Sequence, residues 1–181
     1  MKRLESLGEK ERALVEERLR SGYRQGQLTR FGGELEPQLR ALIGRLLPGV
    51  DADLDLAAFV DAHVGLTLGR GDRAPGLPPT PKLIEQGLRM LEARRFDMLS
   101  ESDQDALVAR MRRGEADTEL GLPSKEFVDR FLLLALAGYL AHPSTWERIG
   151  FNGPAYPDGY AWISRGAVAK RHAKAPGAGR L

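Results

Sequence analysis

"SKEFVDRFLLLALAGYLAHP" occupies residues 124–143, and its reading decides the fold. The stretch predicts a helix from Ser124 to about Ala141 that is apolar on nearly all sides, which makes it the central helix. Ser124 reads as its N-cap. His142-Pro143 ends it, because the residue before a proline is pushed out of the helical region. The apolar run Phe131–Ala141 covers about half of the ~20 residues a membrane-spanning helix needs, so it reads as a buried core helix.

Five amphipathic segments precede it. Ser6-Leu7-Gly8-Glu9 has capping-box spacing, and Leu14, Val15 and Leu19 then give a helix to about Gln25. Gly32-Gly33 breaks the chain. A second helix fits Glu36–Leu47, with Pro37 in its first turn, Pro48-Gly49 after it, and Leu39, Leu42, Ile43 and Leu46 inward. A third fits Asp53–Val64, with Leu56, Phe59, Val60, His63 and Val64 on one face. Gly69–Pro79 is a loop. Thr80-Pro81 caps a fourth helix through Arg94, with Leu83, Ile84, Gly87, Leu88 and Leu91 inward. Ser100 caps a fifth, with Leu107, Val108 and Met111 inward and Gly114 at its end. Nothing alternates with period two for more than a few residues. The expected fold is all-α: an irregular bundle of six or seven helices around the central one, with an irregular aromatic C-terminal segment.

Composition bounds the function. The 181 residues contain no cysteine, which excludes disulfides, thiolate metal sites and cysteine nucleophiles. The net charge is +2, but residues 163–181 alone carry five basic groups and no acid, leaving −3 on residues 1–162. A single helical domain over 1–162 and a basic, flexible tail over 163–181 are expected. An acidic body argues against nucleic acid as a partner, although the tail leaves an anionic-surface or nucleic-acid binder as an alternative. The N-terminus has no apolar h-region and no twin arginine, which reads as cytoplasmic, or as periplasmic within an exported complex.

Candidate chemistry is sparse. His63, His142 and His172 stand far apart without metal-ligand spacing. His63 reads as a core or boundary histidine, and His142 as a partly charged imidazole complementing the helix dipole. Asp51, Asp53 and Asp55 begin like a calcium loop, but Leu56 and Ala62 stand where glycine and glutamate are required, so the acids read as N-terminal charges of the third helix. Gly69-Arg70-Gly71-Asp72-Arg73-Ala74 lacks the strand and helix of a dinucleotide site. No catalytic, cofactor or metal site is expected; a stand-alone enzyme with a site near His63 and Gly69–Pro79 is the alternative.

The segment Ala141–Tyr160, "AHPSTWERIGFNGPAYPDGY", breaks helices yet is rich in rings. A short turn over Ser144–Arg148 would let Trp146 and Ile149 fold back on the core. Trp146, Phe151, Tyr156, Tyr160 and Trp162, held on a Gly-Pro framework, are candidate partner-binding residues. The alternative is that they cap the central helix as a satellite core.

The central helix, with its following tryptophan, "IGFNGP" and aromatic-glycine-tyrosine finish, resembles the small (third, gamma) subunit of gluconate 2-dehydrogenase. "ALIGRLLPG", "LAAFVDAHV" and "RRFDMLSESDQDALVARM" extend the likeness over about Leu39–Tyr160. The resemblance implies an all-α accessory subunit without a cofactor. Its implied partners are a large flavin-dependent sugar or polyol dehydrogenase subunit carrying FAD, of the GMC flavoprotein type, and a multihaem cytochrome c subunit. Its implied role is in folding, assembly or export of the large subunit.

Overall fold

A computed structural model describes residues 8–23, 28–51, 53–65 and 76–151. Its helices are α1 (Glu9–Ser21), α2 (Leu35–Leu46), α3 (Leu56–His63), α4 (Thr80–Ala93), α5 (Glu101–Arg112), α6 (Asp117–Leu120), α7 (Ser124–Ala141) and α8 (Trp146–Ile149). One 3-10 turn, Phe96–Met98, joins α4 to α5, and another, Pro143–Thr145, joins α7 to α8. The described residues contain no strand, and the fold is the expected all-α bundle.

α7 packs against α3, α4 and α5, and α2 packs across α3 and α4. The core these helices share centres on Phe31, Phe96, Phe127 and Phe131, all fully buried. Two glycines set the spacing. A Cβ on Gly87 of α4 would lie 2.2 Å from the Phe127 ring, and one on Gly138 of α7 would lie 2.6 Å from the Phe59 ring. Each helix therefore meets its neighbour's aromatic face with bare backbone.

The inward positions expected on α4 and α5 are all buried. On α2, Leu39, Leu42 and Ile43 are buried and Leu46 is partly so. Ser100 caps α5 as expected: its hydroxyl accepts from the Asp103 N–H at 3.2 Å and donates to the Asp103 carboxylate at 2.6 Å.

Several boundaries differ from expectation. α1 ends at Ser21, where Gly22 turns with a positive φ, and Leu14 and Leu19 are exposed while Val15 is buried. α3 begins at Leu56, because Asp55 is its N-cap and accepts from the Ala58 N–H at 3.1 Å. Pro79, not Thr80, precedes the first turn of α4. Ser124 is the first residue of α7 and caps nothing. It is fully buried, and its hydroxyl donates to the Asp117 carboxylate and lies 3.2 Å from the Met111 carbonyl, with which it shares that one proton, so it ties α7 to α5 and α6. The four-residue α6 lies in a stretch with too little periodicity to predict.

Gly87→Ala is expected to destabilise the domain by about 3 kcal/mol, because a fully buried ring has nowhere to move. Gly138→Ala should cost less, since Phe59 is only half-buried. Urea denaturation at constant m-value measures both; equal costs would show that burial of the ring does not decide the penalty.

Candidate functional site

The aromatic C-terminal corner forms where α7 stops. His142 leaves the helix in an extended conformation, and the Thr145 hydroxyl contacts the carbonyls of Tyr139 and His142 at 2.8 Å each. A carbonyl can only accept, so the His142 Nε2–H donates to Arg18 O at 3.0 Å, while Nδ1 accepts from the Ser144 hydroxyl at 2.7 Å and its N–H at 3.3 Å. The imidazole is thus held neutral. Burial pushes its pKa below the ordinary 6.5, against the opposing pull of the Arg18 carbonyl. This corrects the expected partly charged dipole partner: His142 is a clamp between the end of α7 and the last turn of α1. The Tyr23 ring stands edge-on to it at 5.3 Å, and the Tyr23 hydroxyl donates to Gly138 O at 3.1 Å.

α8 then presents Trp146, which is buried at 8% exposure, and Ile149, which is exposed rather than folded back as expected. Gly150 adopts a positive φ of 71°, and the Phe151 N–H returns to Trp146 O at 2.9 Å. That closure stands the Phe151 ring, 44% exposed, edge-on to the indole at 5.2 Å. The two nearest candidates are therefore brought together in different roles: Trp146 as satellite core, Phe151 as surface. Tyr156, Tyr160 and Trp162 lie outside the described residues, as does the tail.

His63 is half-buried; its Nδ1–H donates to Phe59 O at 2.8 Å and its ring stacks on Phe59 at 4.0 Å. Of the Gly69–Pro79 loop, only Gly76–Pro79 are described, leading into α4. Among the described residues no group of three or more His, Cys, Asp or Glu side chains could hold a metal ion, and no helix is long and apolar enough to cross a membrane.

Sequence reasoning missed a buried, heavily hydrogen-bonded carboxylate. Asp61, 3% exposed, accepts from the N–H groups of Thr29, Arg30 and Phe31 at 2.7–2.8 Å and from the Thr29 hydroxyl at 2.9 Å. Burial alone would raise its pKa; these donors outweigh burial and hold it below the ordinary 3.8. An acid four residues after Ala57, on an apolar helix, was the available signal. Sequence reasoning also missed a surface groove of about 540 Å³ on α7, lined by Leu77, Leu132, Leu133 and Leu136, with Glu126 and Asp129 toward the start of the helix. Leu133 there is 50% exposed.

The class these features define is an all-helical domain with a buried core, a clamped aromatic corner and an apolar outer face on its central helix. The chain belongs to the gluconate 2-dehydrogenase subunit 3 family, whose model matches residues 36–153. The family is that of a dehydrogenase subunit, and the match runs from α2 through α8. No curated protein and no solved structure matches the chain.

The neutral clamp gives a pH dependence. Well above pH 6.5 His142 is uncharged both folded and unfolded. As pH falls below 6.5 the unfolded chain takes a proton that the folded site resists, so stability falls until the lowered folded pKa is passed. His142→Gln should lose that part of the slope in chemical denaturation between pH 7.5 and about 5. An unchanged slope in the variant would assign the effect to other groups.

Proposed function

We propose that the chain is a non-catalytic accessory subunit of a flavin-dependent sugar or polyol dehydrogenase complex, assisting the folding, assembly or export of the large flavoprotein subunit. FAD belongs to that large subunit, and a multihaem cytochrome c subunit is the second candidate partner. The observation that carries this reading is the family match over residues 36–153, which takes in nearly all of the buried core. Exposed Phe151 and Ile149 at the aromatic corner, and Leu133 and Leu140 on α7, are apolar groups available for a partner to cover.

In this reading the aromatic stretch from Trp146 to Trp162 docks on the large subunit. Aromatic side chains supply contact area at little entropic cost, and the surrounding prolines limit the conformations lost on binding. Tyr156, Tyr160 and Trp162 act as anchors, with Phe151 at the edge of the domain.

Two outcomes are expected. The purified chain carries no stoichiometric flavin, haem or metal, checked by visible absorbance and metal analysis; a bound chromophore at unit occupancy would contradict a non-catalytic role. The Tyr156→Ala/Tyr160→Ala double variant keeps its helicity but loses capture of the large subunit, by about 2 kcal/mol or a factor of ~30 in affinity. Undiminished capture with unchanged circular dichroism would place the interface elsewhere.

A further inference from the structure

Among the described residues, one buried polar atom at the aromatic corner has no partner: the indole Nε1 of Trp146 lies out of contact with solvent and meets no hydrogen-bond acceptor there. An unpaired buried N–H is a standing cost that folded proteins seldom tolerate without a use. Its position gives the use. Trp146 opens α8, next to exposed Ile149 and Phe151, at the corner where the candidate docking segment begins. The Phe151 ring stands edge-on to the indole and is itself nearly half in water.

We propose that the Trp146 N–H is a donor reserved for the large subunit, completed when an apolar segment of that subunit brings a backbone carbonyl against the indole beside Phe151 and Ile149. The occupant's chemistry follows from the site. The flanking groups are apolar, so the incoming segment must be apolar where it touches Ile149 and Phe151. The unmet group is a donor, so the segment must supply an acceptor. A neutral carbonyl matches a neutral indole without burying a charge. The inference rests on the accessory-subunit reading given above.

The test is amide and indole NMR of the full ¹⁵N-labelled chain, with and without the co-purified large subunit. Trp162→Phe assigns the two indole signals. The Trp146 N–H is expected to move downfield and exchange more slowly in the complex than in the isolated chain. Trp146→Phe, which removes the donor, should weaken the complex about tenfold with helicity retained. A complex that forms with the Trp146 signal unmoved overturns the donor assignment and leaves the subunit reading standing. A signal already downfield and protected in the isolated chain overturns it too, because the acceptor then comes from this chain. If the wild-type chain forms no complex with the large subunit, the subunit reading fails and the donor assignment with it.

Discussion

The close approach of backbone to aromatic ring at Gly87 and Gly138 is the constraint on which the rest of the bundle depends. Ordinary helix packing separates axes by the bulk of side chains between them. Here α4 meets Phe127 of α7 and α7 meets Phe59 of α3 with no side chain on the glycine partner. The rings consequently fill the space that two interdigitating side chains would need. Phe127 and Phe131 can then both be wholly buried along one helix, and neighbours close around α7 on three sides. Leu133 and Leu140 of the same helix remain exposed.

Polar groups fix what apolar burial leaves free. The Asp61 carboxylate gathers three consecutive backbone N–H groups, Thr29 to Phe31, and so anchors the chain entering α2 onto α3. Gln38 and Asp97 bond reciprocally, the amide donating at 2.5 Å and accepting from the Asp97 N–H at 3.0 Å, which registers α2 against the turn before α5. Gln104 donates to Phe96 O at 2.8 Å from within the same junction. These bonds are buried or partly buried and directional, so they choose among packings that the apolar faces alone would accept. The exposed pairs, such as Arg20–Glu17 and Lys125–Asp129, contribute little beside them.

What the sequence disclosed follows the same division. Apolar periodicity is a property of one helix, so the inward faces of α2, α4 and α5 could be read directly. The contacts that position helices against each other join residues far apart in the chain. Asp61 drew no reading from the sequence, because its donors stand 30 to 32 residues earlier in the chain. His142 looked like a dipole partner because its sequence neighbours are α7 and Pro143; its deciding partner is Arg18 O, 124 residues away. Ser124 resembled a cap because it stands before an apolar run, yet burial gave its hydroxyl to α5 and α6 instead. The candidate site was legible as composition, five rings on a Gly-Pro frame, but the opposite fates of Trp146 and Phe151 depend on the turn at Gly150.

The attachment of α1 bears on how the aromatic corner is presented. α1 precedes the matched residues 36–153, and Val15 is the one buried hydrophobic residue it has among those described. Apolar burial therefore holds it weakly. It rests instead on the 3-10 turn Pro143–Thr145, through His142 to Arg18 O, while the Asp55 N–H bonds Gly22 O at 2.8 Å just beyond its end. That turn leads directly into Trp146. The last turn of α1 and the turn that leads into α8 are thus joined through one histidine, so the same contact that seats α1 also fixes where α8 begins. The family core supplies the apolar scaffold, and a weakly buried helix outside the matched region steadies the corner where α7 ends.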